Sequence, residues 1–126
     1  MTHVSLFVVD DDEFVRSSLV RRLRREGFTI DEFESGESVL KSLEEGASHP
    51  DVIIMDYKMS GINGLETAHI IHQKFPHVPV ILLTAYSRSF DCDAAKRNGV
   101  FEVLTKMVEL EDLRNVIHRA INHGTG

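Results

Sequence analysis

The sequence predicts an α/β sandwich: a five-stranded parallel sheet with helices on both faces. Three observations carry that reading. Five short apolar runs recur along the 126 residues, and each is followed by a helical pattern. Two of the runs, Val52-Ile53-Ile54-Met55 and Val80-Ile81-Leu82-Leu83, are apolar throughout, as strands covered on both faces are. Helix ends are marked by Gly27, Gly46 and Pro76.

The elements follow in order. The first strand is read at Val4–Val9. The first helix has Val15, Leu19 and Leu23 at four-residue spacing as its core face, Asp12 as its N-cap, and a stop at Gly27. The second strand, Thr29–Phe33, alternates apolar residues with acids and reads as an edge strand. Ser35 caps a second helix that turns Val39, Leu40 and Leu43 inward and ends near Gly46. The third strand is Val52–Met55. A third helix opens at Asn63-Gly64, buries Leu65, Ala68, Ile71 and Phe75, and ends before Pro76. The fourth strand is Val80–Leu83. A short helix, Phe90 to Asn98, offers Ala94 and Ala95 to the core. The fifth strand is Val100–Leu104, and the last helix puts Leu110, Leu113, Ile117, Ala120 and Ile121 on one face. From about His123 the chain reads as a frayed tail. With five strands the expected order is 2-1-3-4-5, that of flavodoxin-like folds. No repeat, low-complexity tract or linker interrupts residues 1–126, so a single domain is expected.

Composition narrows the function. Hydrophobic residues make up 42% of the chain, enough for a packed core. Fourteen basic against 20 acidic residues leave a charge of −6, which argues against nucleic acid or an anionic membrane as partner. Arg16, Arg21, Arg22, Arg24 and Arg25 crowd the first helix, and a solvated helix face accounts for them. The lone Cys92 cannot form an internal disulfide, which suits a reducing compartment. No signal-peptide pattern and no membrane-length apolar run is present. The expectation is a cytoplasmic protein.

The chemistry lies at the strand ends. The stretch VVDDDEFV, Val8 to Val15, runs an apolar strand into Asp10, Asp11, Asp12 and Glu13. At about 4 Å, two like charges repel by roughly 1 kcal/mol in water and about 4 kcal/mol at an effective dielectric of 20. Something must offset that. In an open parallel sheet the ligand site lies beyond the carboxyl ends of the strands. Those ends carry Asp10 and Asp11, Asp56, Thr84 and Lys106. Hard oxygen ligands suit Mg²⁺, with Asp11, Asp56 and a loop carbonyl just past Asp56 as protein ligands. Lys106 and Thr84 would then hold an anion beside the metal, and a phosphoryl group fits that description. A carboxylate there can act as nucleophile and form an aspartyl phosphate. Taken singly, each of these residues has a structural explanation as turn former, cap or surface charge. Their conjunction at four strand ends is what points to a site. His69 and His72, three apart on a helix, have no evident third ligand and read as surface histidines.

The segments VVDDD, DVIIMDYKMSGINGLE, VPVILLTAY and GVFEVLTK resemble the receiver domains of two-component response regulators, and the likeness covers essentially the whole chain. It implies a regulatory phosphoacceptor rather than an enzyme, with slow self-dephosphorylation at most. The phosphoryl group would come from a phosphohistidine on a sensor histidine kinase or phosphotransfer protein, with Mg²⁺ as cofactor. The resemblance leaves an output domain, a downstream protein and a homodimer open as further partners. By the same likeness, Asp56 is the phosphoacceptor and Asp11 the direct metal ligand, with Asp10 in support. The carbonyl of Lys58 is the third ligand. Thr84 is the switch hydroxyl, Ala85 gives a backbone N–H to the phosphoryl group, and Lys106 pairs with it. The surface of the fourth helix, fifth strand and fifth helix is expected to respond.

This chain departs from the family's pattern at three places. Ser60 and Met107 stand where the family usually has Pro, the second of them after a cis bond. Val103 stands where an aromatic switch residue is usual, and Tyr86 is the aromatic expected to take over part of its role. A trans Lys106-Met107 bond is expected, because cis before a non-proline residue costs about 2.5–4 kcal/mol. Two other readings remain open from sequence. One is a metal-dependent phosphatase using an acid of the first strand, which leaves Asp56 unexplained. The other is an interaction module of the same fold that works without phosphorylation.

Overall fold

A computed structural model describes residues 4–46, 48–85 and 91–125, with side chains to Asn122. The strands are β1 (Ser5–Val9), β2 (Thr29–Phe33), β3 (Val52–Asp56), β4 (Val80–Thr84) and β5 (Val100–Thr105). The helices are α1 (Glu13–Arg25), α2 (Gly36–Glu44), α3 (Gly64–Lys74), α4 (Cys92–Arg97) and α5 (Leu110–Thr125). All strand pairs are parallel, in the order β2-β1-β3-β4-β5. The expected fold class and strand order are therefore observed.

The two-residue period of the strands divides the core in two. Leu6, Val8, Ile54, Val52, Ile81 and Leu83 point to one face, where Val20 and Leu23 of α1 and Leu113, Val116, Ile117 and Ala120 of α5 cover them. Phe7, Val9, Ile53, Met55 and Leu82 point to the other, under Val39 and Leu43 of α2, Ala68 and Ile71 of α3, and Ala95 of α4. Strands β3 and β4 are buried along their whole length, which is why they read as unbroken apolar runs. Strand β2 buries only Ile30 and is an edge.

The helix starts follow their caps. The Asp12 carboxylate accepts from the Val15 N–H at 3.0 Å and caps α1. Ser35 with Ser38, and Asn63 with Glu66, form reciprocal capping boxes on α2 and α3. Gly27 closes α1 at a φ of 97°.

Several details differ from the expected elements. Val15 is 40% exposed, because Val20 rather than Val15 joins Leu23 on the buried stripe of α1. Leu40, Leu65 and Phe75 are only partly buried and pack at the margin of their core. Helix α4 runs from Cys92 to Arg97 with Asp91 as its N-cap, while Phe90 lies outside the described residues. Only Ala95 of its two alanines is fully buried. The backbone of α5 is helical to Thr125. The β4–β5 register slips between Val80 and Ile81, which inserts Phe101 as an extra residue on β5. No peptide bond among the described residues is cis, so Lys106-Met107 is trans as expected.

Candidate phosphoacceptor and metal site

Parallel pairing aligns the strand ends, and the hydrogen-bond ladder continues one step past them. Asp10 N–H donates to the Phe33 carbonyl, Tyr57 N–H to Leu83, and Lys106 N–H to Thr84. These bonds bring Asp10, Asp56, Thr84 and Lys106 to one edge of the sheet. One carboxylate oxygen from each of Asp10, Asp11 and Asp56 lies within 4.8 Å of the others. Asp10 and Asp56 are buried and Asp11 is exposed.

Each acid is held differently. Asp10 Oδ1 accepts from the Asp12 N–H at 2.9 Å, and its Oδ2 lies 3.4 Å from Lys106 Nζ. Asp56 Oδ1 lies 3.1 Å from the same ammonium, and the Lys58 N–H donates to the Asp56 carboxylate. Asp11 Oδ2 accepts twice from Ser60, from its N–H at 2.9 Å and its hydroxyl at 3.2 Å. Arg16 Nη1 donates to the Asp10 carbonyl at 2.6 Å while its Nε pairs with Glu32, fixing the turn from below.

The loop after Asp56 depends on two glycines. Gly61 turns at a φ of 80°, a conformation that L side chains rarely adopt. Gly64 lies so close to the strand end that a Cβ there would sit 2.4 Å from the Asp56 carbonyl oxygen. Its N–H closes the loop onto the Tyr57 carbonyl at 2.7 Å. The exposed Lys58 is thereby folded back beside Asp56.

Burial is the largest influence on Asp56 and pushes its carboxyl above the ordinary 3.8. The Lys106 hydrogen bond pulls it down, the Asp10 charge pushes it up again, and the balance stays upward. Burial pulls the Lys106 ammonium down, but its hydrogen bond to Asp56 and the charges of Asp10 and Asp56 outweigh that and hold it above 10.5. One ammonium therefore faces two buried acids with a third carboxylate beside them. The cluster is short of positive charge, and it offers hard oxygen ligands. Both facts fit a divalent cation.

A family model for the response regulator receiver domain matches residues 6–118. The chain belongs to this family. Among relatives of the receiver domain, the DNA-binding transcriptional regulator NtrC of Proteus hauseri is 38% identical over 122 residues, 94% of this chain and 25% of that protein. NtrC of Escherichia coli K12 is 36% identical over 118 residues, with the same 94% and 25% coverage. The chain thus spans about a quarter of the length of these relatives. A receiver domain protein from Clostridium thermocellum superposes with a TM-score of 0.89 at 29% identity, over 97% of each chain. The response regulator TrrA of Thermotoga maritima, solved in complex with Mg²⁺ and BeF, superposes with a TM-score of 0.81 at 35% identity, over 93% of this chain and 98% of that one.

Among the sequence-predicted site residues of the receiver domain, Asp10, Asp11, Asp56 and Lys106 converge directly, and Thr84 is buried at the adjoining strand end. Ala85 follows it in an exposed bend. Val103 is half-buried on β5 opposite Leu82 and packs on the α2–α3–α4 side of the sheet. Tyr86 lies outside the described residues. His69 and His72 are exposed, and His72 packs against Gly99. Sequence reasoning missed the Arg16 contact to Asp10 and the Ser60 contacts to Asp11. No local pattern announces the second, since Ser60 and Asp11 are 49 residues apart. Among the described residues, no helix is long and apolar enough to cross a membrane.

Proposed function

We propose that this receiver domain is a phosphoacceptor switch of a two-component system, and that Asp56 takes its phosphoryl group from a phosphohistidine on a histidine kinase or phosphotransfer protein. The observation that carries this reading is a single juxtaposition. A buried carboxylate, Asp56, lies 3.1 Å from the Lys106 ammonium and within 4.8 Å of the oxygens of Asp10 and Asp11.

In the transfer, an Asp56 oxygen bonds to phosphorus as the P–N bond to the donor imidazole breaks, and the imidazole leaves with the bonding pair. Asp11, Asp56 and the Lys58 carbonyl would hold Mg²⁺, with Asp10 in support. The ion would supply positive charge that lets a phosphoryl group approach three acids. Lys106 stays beside Asp56 and pairs with a phosphoryl oxygen. The Thr84 hydroxyl and the Ala85 N–H line the far side and accept the charge of the remaining oxygens by donating to them. Thr84 and Lys106 sit at the ends of β4 and β5, so a shift of either reaches the α4–β5–α5 surface. Val103, on β5 three residues before Lys106, is a position through which that shift is felt, and Tyr86 takes over part of the role of the usual aromatic switch residue. An output domain or separate downstream protein would read the surface.

The test is mass spectrometry after incubation with acetyl phosphate and Mg²⁺. One labile adduct of a single phosphoryl group on Asp56, absent in Asp56→Asn, is the expected result. Labelling of Asp56→Asn at wild-type yield would place the acceptor elsewhere. Catalytic turnover of a phosphate ester without a stable adduct would favour a metal-dependent phosphatase.

A further inference from the structure

We propose that Ser60 is a positioning residue that presents Asp11 to the cation through one oxygen and so favours Mg²⁺ over Ca²⁺. The inference rests on the reading of Asp10, Asp11 and Asp56 as a divalent-cation site.

Asp11 is exposed and lies just past the end of β1, where a carboxylate is ordinarily free to rotate. It is not free here. Its Oδ2 accepts from both the N–H and the hydroxyl of Ser60, at 2.9 and 3.2 Å. Two donors use the two lone pairs of that oxygen. Among the described residues, Oδ1 accepts no hydrogen bond. In this same pose Asp11 contributes an oxygen that lies within 4.8 Å of those of Asp10 and Asp56. The Ser60 contacts therefore do not pull Asp11 out of the cluster. They hold it in.

The consequence is chemical. With Oδ2 committed to Ser60, Asp11 has Oδ1 left to give, and it binds as a one-oxygen ligand. Mg²⁺ demands an octahedral shell and takes carboxylates singly, keeping several waters. Ca²⁺ takes six to eight oxygens and gains from two-oxygen carboxylates. Ser60 removes that second oxygen. It also limits rotation of the ligand before the ion arrives, which lowers the ordering cost of binding.

The contacts reach across the site from the β3–α3 loop to the β1–α1 turn. The loop itself is braced independently, by the turn at Gly61 and by the bond from the Gly64 N–H to the Tyr57 carbonyl. A change at Ser60 should therefore act on Asp11 without unravelling the loop.

The experiment is calorimetric titration of the chain with MgCl₂ and, separately, CaCl₂. Ser60→Pro removes both donors, Ser60→Ala removes the hydroxyl alone, and Ser60→Thr keeps both. Ser60→Pro should raise the Mg²⁺ dissociation constant about fivefold, the worth of roughly one net hydrogen bond, while that for Ca²⁺ stays level or falls. Ser60→Ala should move the Ca²⁺ to Mg²⁺ ratio in the same direction by less, and Ser60→Thr should match the wild type. Metal-free melting curves establish that each variant folds. If Ser60→Pro does not fold, the contrast between Ala and Thr decides. Parallel changes for the two ions, or no change in any variant, would overturn the role of Ser60. A wild type that binds neither ion would instead bring down the reading of the cluster as a cation site, and this role with it.

Discussion

The Lys106 ammonium stands 3.1 Å from Asp56 Oδ1 and 3.4 Å from Asp10 Oδ2, so one cation from the end of β5 is shared between acids at the ends of β1 and β3. Removing it should leave the fold intact and cripple the chemistry. Lys106→Gln is expected to slow phosphoryl uptake from acetyl phosphate by about 100-fold, the usual cost of losing a preorganised donor. Time-resolved mass spectrometry reads the rate. An unchanged rate would remove Lys106 from the reaction.

Ionised Asp56 should cost the metal-free fold stability. Its folded pKa lies above the ordinary 3.8, burial being the main cause, so the unfolded chain gives up this proton first as pH rises. Stability from this group is present in acid and lost as pH climbs from 3.8 through the folded value. Asp56→Asn should therefore be more stable than wild type near neutral pH, with the gain shrinking to nothing in acid. Lys106 works at the other end of the scale. Its folded pKa lies above 10.5, so its contribution is intact below 10.5 and fades as pH rises through the folded value. Urea unfolding with a chelator present, repeated across pH, tests both signs. A pH-independent gain for Asp56→Asn would contradict the first.

Divalent cation should stabilise the protein by neutralising the cluster. At about ten times its dissociation constant, Mg²⁺ should add roughly 1.4 kcal/mol, or about 5 °C in melting temperature. Asp11→Asn should lose most of that shift. Equal shifts in the two proteins would exclude Asp11 as a ligand.

Gly64→Ala should damage the site through the backbone. The new methyl would meet the Asp56 carbonyl oxygen at 2.4 Å and the Tyr57 Cα at 2.9 Å. A loss of about 1–3 kcal/mol is expected on denaturation, as for other overpacked positions, with weaker Mg²⁺ binding as the loop moves. A fully stable Gly64→Ala that keeps its Mg²⁺ affinity would show that the loop can yield.

Met107→Pro should not help. The Lys106-Met107 bond is trans, and the Met107 N–H donates to Thr105 Oγ1 at 2.9 Å. Proline removes that donor and restricts Lys106 before it, at an expected cost of about 1 kcal/mol. A clear rise in melting temperature would reverse this assignment.

The parallel sheet and the meeting of Asp10, Asp11, Asp56 and Lys106 at one edge were legible because one rule governs both. Parallel strands joined by helices must end on the same side, so acids and a lysine at the ends of apolar runs have to meet. Asp12 and Ser35 were legible as caps for a similar reason: a cap is a local pattern of three or four residues. What stayed hidden depends on distant chain. Val15 fits the helical spacing as well as Val20 does, and only the placement of α1 on the sheet decides between them. The extra residue at Phe101 follows from how β5 meets β4. Ser60 could be seen to differ from the family's usual proline, but not to reach Asp11 across the cleft.

The β2 edge of the sheet carries a safeguard. Strand β2 presents one side to solvent, and an open strand of that kind invites a second chain to add to it. Here the sequence Thr29-Ile30-Asp31-Glu32-Phe33 places adjacent acids in the middle of that edge, and Asp31 is exposed. A second copy approaching in register would set Asp31 and Glu32 against their own likenesses, with Arg16 already engaged to Glu32. The β2 border of the sheet is therefore guarded by charge against the addition of a second strand.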